Sequence, residues 1–143
     1  MKVVINSQYG GFNLSKIAIE EYLKLKGEQA YFYDINSREK EVYYKKSLKD
    51  TNSDIFFMTF TKDFGPEIKI NDISEEDYKK YSFNSKDIKR IDKDLIKVIE
   101  ELGEKANTKV STLKIVDIPD DVKWTIEEYD GNEWIAEEHR TWS

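Results

Sequence analysis

Between residues 91 and 106 the apolar side chains Ile91, Leu95, Val98, Ile99, Leu102 and Ala106 fall on one face of a helix. Asp92 stands where an N-cap is wanted. A helix with a single apolar stripe is marginal by itself and has to lay that stripe on a second apolar layer. The rest of the chain offers short β-prone runs for the purpose, at residues 2–5, 30–35, 42–44, 55–61, 68–70, 113–118, 122–129 and 132–137. Asp130-Gly131 joins the last two as the strongest short hairpin signal. Its register sets Ile126 opposite Ile135 and Glu128 opposite Glu133, an unfavourable carboxylate pair unless a cation or solvent separates the two. An earlier helix is expected from Leu14, Ile17, Ala18, Tyr22 and Leu25, capped by Asn13 or Ser15 and stopped at Gly27. Residues 71–89 read as a long polar loop with at most a helical turn at 74–81. The expectation is an α+β fold, mostly antiparallel sheet with two main helices packed on it, forming a single domain over residues 1–143.

Composition narrows the function more than the fold. The chain has 143 residues, is 38% hydrophobic and 13% aromatic, and so depends on bulky rings for buried area. A net charge of −6 argues against duplex nucleic acid and anionic membrane as partners. With no cysteine and one histidine, His139, thiolate chemistry is excluded and a histidine metal site or triad is hard to assemble. Adjacent carboxylates such as Glu127-Glu128 point to opposite faces of a strand and cannot form one two-carboxylate site. Neither a signal peptide nor a membrane span is visible, so cytoplasmic residence is expected.

What remains points to ligand binding, with no cofactor and no metal. The first strand runs into Tyr9-Gly10-Gly11-Phe12-Asn13 and then a helix. Such a unit can cradle phosphate on loop amides and the helix N-terminus, or can be a tight turn that needs positive φ. Three arginines stand among twenty lysines, and Arg90 and Arg140 offer planar forks for a phosphate or for a surface carboxylate. Phe83 and Asn84 could stack on and read a nucleobase, or Phe83 could anchor its loop to the core. Asp92 or Asn84 would supply polar contacts to ribose. Alanine at Phe83 or Arg90 is then expected to weaken binding without lowering stability.

Three stretches carry a resemblance: Val4-Ile5-Asn6 through Gly10-Gly11-Phe12 to Leu14-Ser15; Arg90-Ile91-Asp92 through Val98 to Gly103; and Leu113 to Val116 through Ile118-Pro119-Asp120-Asp121-Val122, Glu127 to Gly131 and His139-Arg140-Thr141-Trp142. They resemble small phage and prophage proteins, and are similar to the Thoeris anti-defence family that sequesters glycocyclic ADP-ribose. The resemblance spans both ends and the second helix but not residues 31–82. It implies a homo-oligomeric sponge, a dimer able to assemble into hexamers, that holds a TIR-generated cyclic nucleotide intact and also accepts cyclic di- and trinucleotides. Two further readings stand beside it: a nucleotide-degrading enzyme using His139, and an inhibitor that binds a host protein through its acidic surface.

Overall fold

The computed structural model describes residues 1–34, 42–46 and 57–137. Ile35, Arg38, Ile55, His139, Arg140 and Trp142, and the turn expected at 36–40, lie outside the described residues. Strand β1 (Lys2–Asn6) pairs antiparallel with β7 (Leu113–Asp117), setting Val4 opposite Ile115. Strands β2 (Tyr31–Asp34), β3 (Val42–Lys46), β4 (Phe57–Phe60), β5 (Glu67–Lys69) and β6 (Ser82–Phe83) form a five-stranded antiparallel sheet in the order β5-β3-β2-β4-β6. Strands β8 (Trp124–Tyr129) and β9 (Asn132–Glu137) make the hairpin about Asp130-Gly131, whose residues have φ of 52° and 88°. Its register is the expected one, Ile126 opposite Ile135 and Glu128 opposite Glu133. The molecule is a single small α+β domain, and among the described residues no helix is long and apolar enough to cross a membrane.

Helices α1 (Lys16–Leu25) and α3 (Lys93–Leu102) pack on each other and carry the main core. Leu14, Ile19, Leu23, Leu95, Val98 and Ile99 are buried there with Val4 of β1 and Phe32 of β2. Period-two alternation sends Tyr33, Phe60 and Ile68 to the other face of the five-stranded sheet, where they form a second, smaller cluster with Phe64 and Tyr81. There the Tyr33 hydroxyl donates to the Gly65 carbonyl at 2.9 Å and accepts from the Phe64 amide at 3.1 Å, fixing the loop after β4.

Three expectations need correction. Ile17 and Leu25 are exposed, and Ile19 and Leu23 face the core instead, because the buried face of α1 is rotated from the one its outermost apolar residues suggest. Ile91 is exposed as well, since α3 starts only after Asp92. Residues 71–89 are not a long loop: the helical turn expected at 74–81 is the helix α2 (Glu75–Tyr81), and β6 and two 3-10 turns accompany it. Ser74 caps α2 by accepting from the Asp77 amide at 3.1 Å, and Glu75, Glu76 and Asp77 place negative charge at its N-terminus.

Candidate ligand-binding cleft

The glycine loop is a packing joint. Gly10 donates to the Asp130 carbonyl at 3.1 Å. A Cβ on Gly131 would sit 2.1 Å from the Gly11 nitrogen, and one on Gly10 would sit 2.6 Å from the Val110 carbonyl oxygen. The loop, the β8–β9 turn and the turn before β7 therefore meet backbone to backbone, which only glycine permits. Asn6 ties the same corner together from below. Wholly buried, it donates to the carbonyls of Gln8 and Gly131, each at 2.8 Å, and accepts from the Thr112 amide at 2.9 Å. At the corner expected to cradle a pyrophosphate, the protein's own hairpin turn thus packs against the backbone of Gly10 and Gly11.

Arg90 is committed to that hairpin. Its guanidinium grips Glu133 with two bonds, of 2.5 and 2.9 Å, and lies 3.6 Å from the centre of the Phe12 ring. It also donates to the Val4 carbonyl at 3.3 Å, while the Val4 amide bonds the Arg90 carbonyl at 2.8 Å and the Asn6 amide bonds Glu133 at 2.8 Å. With side-chain exposures of 17% and 10%, the pair is largely shielded from solvent, and it relieves the unfavourable Glu128–Glu133 pairing by giving Glu133 a cation. Phe12 is buried beneath it. Asp92 is equally occupied: it caps α3 through the Asp94 and Leu95 amides at 2.8 and 3.2 Å, accepts from the Tyr22 hydroxyl at 3.1 Å and pairs with Lys26 at 3.3 Å. Burial opposes its ionisation, but the bonds from Leu95, Tyr22, Asp94 and Lys26 outweigh it and hold the carboxyl below its ordinary range. Burial, then the bond to Asp92, pushes the Tyr22 phenol up to about 12. Among the described residues every buried side-chain polar atom has a partner.

Three of the expected ligand residues do converge. Asn13, Phe83 and Asn84 line a cleft of about 370 Å³ between α1, β4 and β6, together with Phe57, Thr59 and Tyr78. The paired register explains the grouping. Thr59 stands opposite Phe83 across β4 and β6, and Phe57 lies two residues from Thr59 on the same face. Phe83 is half-buried, with its ring centre 6.0 Å from that of Tyr22, so it is at once a core anchor and a wall of the cleft. Asn84 is exposed and accepts from the Lys86 amide at 3.0 Å through Oδ1, turning the chain into a 3-10 turn. The ammonium of buried Lys16 lies 5.2 Å from the centre of the Phe57 ring, setting a cation beside one wall. Among the described lining residues Asp87 is the one acid.

The remaining candidates lie elsewhere. Tyr9 and Gly10 border a shallow depression with Glu128, Asp130 and Gly131, Gly11 belongs to the glycine joint, and Arg140 lies outside the described residues. Sequence reasoning missed Phe57, Thr59 and Tyr78, although the alternation within β4 marks the first two as neighbours on one face. Comparison with protein-family models, curated proteins and solved structures finds no match to this chain.

Proposed function

We propose that the protein binds a small nucleotide in the cleft between α1, β4 and β6 and holds it without transforming it. In the form implied by its resemblance to Thoeris anti-defence proteins, the ligand is a TIR-generated cyclic ADP-ribose, withheld from the defence effector it would activate. The observation that carries this reading is the placement of Phe83 beside Asn84 in one cleft. A flat ring offers any base a stacking surface, and a carboxamide can exchange donor and acceptor bonds with a base edge. The volume lies at the lower end of the range of about 300–1,000 Å³ usual for small-molecule sites. A share of the ligand left outside the cleft would be covered by a second subunit, in keeping with the homo-oligomer that the resemblance implies.

The test is calorimetry with cyclic ADP-ribose isomers, followed by denaturation and mass analysis of the recovered ligand. Binding with intact ligand supports sequestration, conversion supports an enzyme, and absence of heat overturns the reading. Phe83→Leu keeps an apolar anchor against Tyr22 but removes the stacking face. It is expected to weaken binding about tenfold, or about 1.4 kcal/mol, while the thermal midpoint changes little. Unchanged affinity in this variant would move the ligand out of the cleft.

A further inference from the structure

The β8–β9 hairpin has two unlike faces. Glu133 and its cross-strand partner Glu128 lie on the face turned to Arg90, whereas the pairs Glu127–Trp134 and Tyr129–Asn132 form the outer face. On that face Tyr129 is 70% exposed and Trp134 44%, and Tyr9, 61% exposed, reaches across from the glycine loop to meet Tyr129 edge-on at 6.5 Å between ring centres. None of the three rings joins either apolar cluster. Three large exposed aromatics on one small sheet face form a surface of the kind that marks a docking site.

The charge around the rings selects the occupant. Residues 124–137 hold no lysine or arginine; Glu127 lies on the outer face and Asp130 at the turn, while Glu128, Glu133 and Glu137 lie on the face turned to Arg90. Glu128 and Asp130 border the depression beside Tyr9, and Glu127 accepts from the Trp134 indole at 3.2 Å, steadying that ring. Aromatic faces rimmed by carboxylates attract a guanidinium or ammonium by cation–π and ionic forces together. An anionic or wholly apolar partner would meet repulsion or uncompensated charge there.

We propose that the outer face of the β8–β9 hairpin, together with Tyr9, docks a basic segment of a partner protein, with an arginine or lysine side chain seated against Tyr9 and Tyr129 and its charge facing Glu127 and Asp130. This surface is separate from the nucleotide cleft and does not depend on it.

The full chain is titrated into a fluorescein-labelled, end-capped hexa-arginine peptide and followed by anisotropy. Saturable binding is expected, with no binding of a hexa-glutamate control. Tyr9→Ala and Tyr129→Ala should each weaken it about fivefold, whereas Tyr129→Phe, which keeps the ring face, should bind as the parent does. Both tyrosines are exposed, and a circular dichroism melt of each variant confirms that the fold is retained. Absence of saturable binding overturns the proposal. So does binding that both alanine variants retain in full and that spermine displaces equally well, because charge alone would then account for it.

Discussion

At the scale of single residues, the side chains with the highest chemical promise are spent on architecture. Arg90 combines the two traits that suggest an anion site, a rare guanidinium and a position before a helix, yet its fork holds Glu133. Removing one member of a buried ion pair leaves the other charged and unpaired, at a cost of about 3–5 kcal/mol. Glu133→Ala and Arg90→Ala are each expected to lower unfolding free energy by about that amount in urea titrations. Arg90→Met/Glu133→Leu should recover much of the loss, as buried pairs often yield to apolar replacements of similar size. Full additivity of the two single effects would show that the pair is not coupled. This reverses what the sequence suggests for Arg90→Ala, which becomes a lesion of stability. The reason is separation: Glu133 lies 43 residues along the chain from Arg90, and no local pattern announces such a partner.

At the scale of elements, what was legible is what is local. The α3 stripe and its Asp92 cap, and the hairpin about Asp130-Gly131 with its register, follow from spacing and turn chemistry within a dozen residues. Helix α2 was legible only as a helical turn at 74–81, because none of its residues is buried, so it has no stripe, and Ser74 followed by three acids is what marks its start. The glycine loop was legible as a place where φ is positive but not as a joint, since its neighbours are Val110 and Gly131. The joint makes a graded prediction. Gly131→Ala, meeting the Gly11 nitrogen and the Gly10 backbone, is expected to cost more than about 3 kcal/mol. Gly11→Ala has open space around its Cβ and should cost about 1–2 kcal/mol, from its φ of 101° alone. Equal thermal midpoints for the two variants would show that the corner opens in solution and would return the loop to candidacy as a phosphate cradle.

At the scale of the whole molecule, the two proposed surfaces differ in electrostatic sign. The chain carries a net charge of −6, so a doubly phosphorylated nucleotide approaches against the overall field, while a basic peptide approaches with it. Raising salt from about 0.01 to about 0.1 M shortens the screening length from about 30 to about 10 Å. Nucleotide affinity is therefore expected to hold or rise over that range, and affinity for the arginine peptide to fall. A nucleotide affinity that drops steeply with salt would require a cation in contact with the phosphates, a role for which Lys16 beside the Phe57 wall stands nearest among the described residues. The way β1 is finished on the side away from β7 has a consequence of its own. The amides of Val4 and Asn6, and the Val4 carbonyl, point where a neighbouring strand would bond, and all three are taken by Arg90 and Glu133. A foreign β-segment would have to displace an ion pair to lengthen this small sheet there, so amyloid-like growth has no ready template on that flank.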